Sequence, residues 1–138
     1  MTKSNIKIPL EAAEAELIAL LDAMDIDTDV DSMVEEDAKD FTDMVRTLSK
    51  PITSGKAIID GESYVLTLKK PIGDEKTITI NEPSGLAWEL IDRAKKGEEI
   101  KKLLRFAEGF TGVPYAQIRN LPNSDLKILR VFAQLFLA

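Results

Sequence analysis

The spacing of apolar residues changes twice along the chain, which predicts a helical start, a central sheet and a helical end. Apolar residues first recur every three or four positions, as in amphipathic helices. This spacing predicts one helix over residues 10–24, with Pro9 in its first turn, and a second over residues 32–48 that ends before Pro51. The stripes comprise Leu10, Ala13, Leu17, Leu20 and Met24, then Val34, Ala38, Phe41, Val45 and Leu48. They suit either a helical hairpin or pairing with another copy of the chain.

Strand-like alternation follows over residues 56–59, 63–69 and 76–80. The Asp60-Gly61 turn separates the first two segments, and the Gly73-Asp74 turn follows Pro71. Alternation places one apolar set on a single sheet face, namely Tyr64, Leu66 and Leu68, with Ile78 and Ile80 sharing a face of the third strand. We therefore expect a three-stranded antiparallel meander that needs a helix to cover it.

Helical spacing returns after Pro83-Ser84. A helix ending before Gly97 is expected to bury Leu86, Leu90, Ile91 and Ala94, with Trp88 at the edge of the core. Residues 98–110 are expected to form a helix that buries Ile100, Leu103, Leu104 and Ala107. A break at Thr111-Gly112, a short helix from Pro114 through Ile118 and a last helix from Asp125 complete the pattern.

These elements predict an α+β fold that is mainly helical, with a small antiparallel β-meander in the middle. An acidic N-terminal helical pair precedes the meander and an apolar helix closes the chain. The predicted division is into residues 1–50, an acidic helical hairpin or N-terminal extension, and residues 51–138, an α+β domain.

The last helix has apolar residues around nearly its whole circumference, so it must be buried on more than one side. Leu129, Phe132 and Phe136 share one face and are expected to pack on the protein's own sheet and helices. Other sides are left to Ile128, Leu135 and Val131, so we predict a role in self-association or partner binding. The predicted partner-binding residues are Ile128, Val131, Phe132, Leu135 and Phe136. Complete burial inside one chain is the alternative.

Composition argues against an enzyme. The 138 residues include no Cys and no His, which removes thiolate chemistry and the commonest general base. No catalytic residue, cofactor or metal is therefore predicted. The N-terminus has no apolar core typical of a signal peptide, and residues 128–138 are too few to cross a bilayer. A cytoplasmic protein that does not enter membranes is expected.

Charge is distributed unevenly around the net value of −6. Residues 11–43 hold 13 acidic side chains and one base, Lys39, whereas the rest of the chain is net positive. The basic residues near Lys95 and Arg105 are interleaved with Glu98 and Glu99, which is typical of a solvated helix surface. Nucleic-acid binding is therefore not predicted.

Four aspartates alternate over residues 25–31 and are followed by Glu36, a spacing that resembles an EF-hand calcium loop. However, Val30 occupies the position of the turn glycine and Ser32 that of an aliphatic residue. We therefore predict no specific calcium binding. A micromolar calcium affinity that is lost in Glu36→Gln would contradict this prediction. The competing interpretation is an acidic turn whose aspartates cap the second helix.

Three short segments carry a resemblance to a known family. They are TITINEPSG at residues 77–85, FAEGFTGVP at 106–114 and IRNLPNSDL at 118–126, followed by the apolar helix. In this order they resemble the tail assembly chaperones of long-tailed bacteriophages and prophages, across residues 48–137. Residues 1–47 lie outside the resemblance.

The resemblance implies a non-catalytic chaperone that binds the tape measure protein in the host cytoplasm while the tail tube assembles around it. It further implies the tail tube protein as a second partner, and a homo-oligomer. Two other classes stay open, a small structural connector or adaptor of a phage or phage-like particle, and an EF-hand-like calcium-responsive regulator. Absence from finished tails would separate the chaperone from the connector, and calcium titration would test the regulator.

Overall fold

The computed structural model describes residues 8–92 and 96–137, which form six α-helices and a three-stranded antiparallel sheet. The predicted mainly helical α+β class, with its sheet in the middle, is confirmed. The elements are α1 (Leu10–Ala23), α2 (Glu35–Thr53), β1 (Ala57–Asp60), β2 (Ser63–Ile72), β3 (Glu75–Ile80), α3 (Gly85–Ile91), α4 (Glu99–Thr111), α5 (Tyr115–Ile118) and α6 (Asn123–Leu137), with a 3-10 turn at Val30–Ser32.

The chain divides into two compact units between Leu66 and Thr67, inside β2. The boundary predicted at residues 50 and 51 falls within α2. We call the two parts the N-terminal unit and the C-terminal unit.

In the N-terminal unit α1 packs against α2, and both helices contact β1, so the helical pair is a hairpin within one chain. The predicted stripes are largely buried, except that Val34 is 66% exposed because α2 begins only at Glu35. The expectation that helix ends before Pro51 is wrong, since α2 continues through Pro51 to Thr53. Proline this close to a helix end removes only one backbone hydrogen bond.

A side-chain hydrogen bond joins the C-terminal part of α2 to β2. The buried hydroxyl of Tyr64, on β2, donates a hydrogen bond of 2.7 Å to the Leu48 carbonyl oxygen. Burial raises the pKa of the Tyr64 phenol well above its usual value. Tyr64 therefore serves as a neutral hydrogen-bond donor in the core.

The predicted hairpin across Asp60-Gly61 is confirmed, with Ala57 paired to Leu66 and Asp60 to Ser63. Gly61 has a φ of 61°, a conformation that glycine adopts without strain. Buried residues occupy alternate positions as predicted, including Leu66, Leu68, Ile78 and Ile80. β2 continues through Pro71 to Ile72, three residues beyond the predicted end at Lys69.

In the C-terminal unit α4 packs against α3, α5, α6 and β3. The inward face predicted for α3 is wrong at Leu86, which is 58% exposed, and Ala87 is buried instead. Gly109 on α4 explains this, since a Cβ there would overlap the Cα and Cβ of Ala87. The helices approach so closely that the smallest side chains face each other. Ala94 lies outside the described residues.

The inward face predicted for α4 is confirmed at Leu104 and Ala107, which are buried, and wrong at Ile100, which is 54% exposed. Ile100 occupies the first turn of α4, which begins at Glu99. Its helical phase is that of the buried residues, so its exposure follows from its place at the helix end.

Candidate interaction surfaces

The acidic turn between α1 and α2 does not gather its carboxylates. Asp25 has a positive φ of 64°, and the Asp29 amide donates a hydrogen bond of 3.0 Å to Asp27 Oδ1. In residues 8–92 and 96–137, no three acidic side chains are grouped to hold a metal ion. The expectation that an aspartate caps α2 is wrong, since its N-cap is Val34 without a side-chain hydrogen bond.

Five aromatic side chains of the C-terminal unit form one connected cluster: Trp88, Phe106, Phe110, Phe132 and Phe136. Phe106 and Phe110 of α4 have ring centroids 6.3 and 5.2 Å from that of Phe136 on α6. Trp88 of α3 extends the cluster outward, with its ring 5.1 Å from Phe106 while 48% of the residue is exposed. Trp88 therefore lies at the edge of the core, as its spacing indicated, with one side available to a partner.

Exposed apolar side chains of the C-terminal unit lie on α3 and α4. Among the residues that the structure describes there, the large exposed hydrophobics are Leu86, Trp88 and Ile100. We call these three the α3–α4 apolar residues. Glu98 and Lys101, which flank Ile100 in the sequence, form an ion pair of 3.1 Å. Exposed apolar side chains on neighbouring helices are candidates for contact with a partner.

A second arrangement combines two arginines and a tyrosine. The Arg105 guanidinium carbon lies 4.4 Å from the centre of the Tyr115 ring, and that of Arg119 lies 5.9 Å from it. The Tyr115 amide donates a hydrogen bond of 3.1 Å to Glu108 Oε1, which fixes the start of α5 against α4. We call Arg105, Tyr115 and Arg119 the Arg–Tyr–Arg cluster.

The segments that carry the family resemblance lie where elements end and begin. Thr111-Gly112 closes α4, with the Thr111 hydroxyl bonded to the Ala107 carbonyl at 2.7 Å and Gly112 at a φ of 77°. Asp125, in the first turn of α6, is fully buried and its Oδ2 accepts the Lys69 amide at 2.9 Å. This bond ties α6 to β2, so these residues shape the fold.

The structure corrects the surface predicted on α6. Ile128 is 5% and Leu135 3% exposed, and Val131 and Phe132 are also buried, so none of the four is left on a free side. Phe136 is half-buried and sits in the aromatic cluster. The apolar circumference of α6 is explained by burial inside the chain, the alternative stated above. The predicted binding role assumed that these residues were exposed, and they are not.

Sequence reasoning missed both surfaces described here. Leu86 and Ile100 matched an inward helical face. Gly109, which selects Ala87 as the contact, could have indicated otherwise for Leu86, and the position of Ile100 in the first turn of α4 for Ile100. Arg105 and Tyr115 are ten positions apart. Their contact depends on the path of the chain through Gly112, which periodicity does not reveal.

Comparison of the chain with known protein families, with curated proteins and with solved structures finds no match. None of the helices formed by the described residues is long and apolar enough to cross a membrane.

Proposed function

We propose that this protein is a non-catalytic tail assembly chaperone, which binds the tape measure protein in the host cytoplasm and keeps it soluble while the tail tube assembles. The observation that carries the proposal is the placement of the α3–α4 apolar residues on two adjacent helices. A long helical client exposes apolar stripes before assembly, and a binding protein needs matching apolar side chains that its own core leaves uncovered.

The resemblance in residues 48–137 supports the same proposal, because its segments coincide with the turns and buried contacts that hold α3, α4 and α6. In this proposal the tail tube protein is a second, later partner.

Solubility of the client during co-expression tests the proposal. The chain and a candidate tape measure protein are produced together, and soluble tape measure protein is measured after centrifugation. The double variant Leu86→Ser with Ile100→Ser should reduce the soluble complex at least tenfold, because each apolar side chain buried by a client contributes about 1.5–3 kcal/mol. Both residues are more than half exposed, so the fold should persist.

The matched control is Ile58→Ser with Val34→Ser, which also replaces two exposed apolar residues by serine but lies in the N-terminal unit. Ile58 is 55% and Val34 66% exposed. The control should retain wild-type client binding. If both double variants lost the same amount of soluble complex, the loss would be due to a more polar surface in general and not to the α3–α4 apolar residues. If finished tails contained this protein in a fixed ratio to the other tail proteins, it would be a connector and not a chaperone. If the tape measure protein stayed insoluble at every ratio of this protein to it, the proposal would be refuted.

A further inference from the structure

We propose that the Arg–Tyr–Arg cluster is a carboxylate-binding site whose partner is the acidic face of α2 in a second copy of this chain. The inference is independent of the proposed function, since it depends on charge and geometry alone. Its occupant is chosen by charge complementarity between the two units.

The cluster is prepared to bind an anion. Stacking on Tyr115 covers the flat face of a guanidinium and leaves its N–H edge to form paired hydrogen bonds with a carboxylate. In the described part of the chain neither Arg105 nor Arg119 forms an ion pair. Arg105 Nε is buried without a hydrogen-bond partner, so a carboxylate arriving from another copy would meet the exposed Arg119. The nearest acid along α4, Glu108, is already engaged by the Tyr115 amide.

More positive charge lies on the same side of α4. Lys101 and Lys102 precede Arg105 by four and three positions, a spacing that makes them helical neighbours. Lys101 is paired with Glu98, whereas Arg119, directly after α5, is exposed. Overall the C-terminal unit has 12 basic and 9 acidic residues.

The complementary face lies on α2. Glu36, Asp40 and Asp43 are all exposed and follow one another at helical spacing, on the side opposite the buried Phe41 and Val45. The N-terminal unit as a whole has 15 acidic and 6 basic residues. We call these three carboxylates the α2 acidic stripe.

A contact between the stripe of one copy and the cluster of the next can be made reciprocally, which closes a two-fold dimer, or head to tail. Head-to-tail contacts generate rings when the rotation closes and open arrays when it does not. The proposal therefore predicts self-association at high concentration, which screening by salt should dissolve.

Sedimentation of the full-length chain at about 50 mM and 500 mM salt tests this, because the Debye length shrinks over that range. At low salt Arg119→Glu should weaken self-association at least tenfold, and so should Asp40→Lys. A chain carrying both changes should recover most of the affinity, since the charges are exchanged across the same contact. Lys127→Glu, an equal change at an exposed position on α6, is the control and should have little effect.

Cysteine pairing shows which copies meet, and the chain contributes no cysteine of its own. A mixture of Asp40→Cys chains with Arg119→Cys chains should form a mixed disulfide, whereas Lys127→Cys in place of the latter should not. Three results would overturn the proposal. The first is a wild-type chain that stays monomeric at low salt. The second is a disulfide that forms only inside a single chain carrying both cysteines. The third is binding of nucleic acid that is lost in Arg119→Glu while self-association is unchanged.

Discussion

Replacing Gly109 by alanine should destabilise the protein even though alanine is the better helix former. The added Cβ would overlap the Cα and Cβ of Ala87 and lie 3.1 Å from its backbone nitrogen. Backbone atoms cannot turn aside as a long side chain can, so α3 must move away from α4. Overpacking of this kind costs about 1–3 kcal/mol, against a gain of about 1 kcal/mol in helix propensity.

Displacement of α3 adds a second cost, because it pulls Trp88 away from Phe106, and such aromatic pairs contribute about 0.5–1.5 kcal/mol. The net expectation for Gly109→Ala is a loss of about 0.5–3.5 kcal/mol in the free energy of unfolding. Urea denaturation measures it, and Trp88, the only tryptophan, reports the movement through a red-shifted emission in the folded state.

Gly85 provides the control, since a Cβ there meets no atom within 4 Å and its φ is not in the left-handed region. Gly85→Ala, in the first turn of α3, should leave stability unchanged or slightly raised, with the emission of Trp88 unshifted. If Gly109→Ala were as stable as Gly85→Ala with the same emission spectrum, the close approach of α3 and α4 would be wrong.

Three further changes test other contacts. Tyr64→Phe should remove a stabilisation that is present below pH 10 and falls by up to about 1.4 kcal/mol per pH unit above it, because burial keeps the folded tyrosine protonated where an unfolded one ionises. A constant difference in unfolding free energy between variant and wild type across that range would contradict it. Asp125→Ala should cost about 1–3 kcal/mol in urea denaturation by leaving the Lys69 amide without its acceptor, and Asp125→Asn should cost less. Ile128→Asp with Leu135→Asp should abolish the helical circular dichroism of the C-terminal unit, and a folded double variant with altered sedimentation would restore α6 as a surface.

Alternation and turn residues were sufficient for the sheet. A shift by one residue would turn Tyr64, Leu66 and Leu68 out of the core, so the pattern and Gly61 together determine the register. The helices were harder, because a three–four spacing defines a face without defining its partner. Leu86 satisfied the pattern and is exposed, since contact between α3 and α4 is set by Ala87 and Gly109.

The surfaces could not be predicted for a related reason. The apolar circumference of α6 is consistent with burial inside the chain and with a partner, and only the tertiary structure distinguishes these. The Arg–Tyr–Arg cluster requires α5 to fold back on α4 after Gly112, and no periodic signal describes such a return. The charge imbalance between residues 11–43 and the rest of the chain was visible in the sequence, yet the contact of Arg105 and Arg119 with Tyr115 was not.

The two proposed contacts differ in physical origin, so salt should separate them. Client binding through the α3–α4 apolar residues depends on burial of apolar area, which raised sodium chloride does not screen. Pairing of the α2 acidic stripe with the Arg–Tyr–Arg cluster is electrostatic and should weaken as the Debye length falls from about 10 Å at 0.1 M to about 3 Å at 1 M. A purified complex with the tape measure protein should therefore keep its client at high salt while its chaperone copies separate from one another. Loss of the client in step with self-association would mean that client binding requires the assembled array, which Arg119→Glu at low salt would then reproduce.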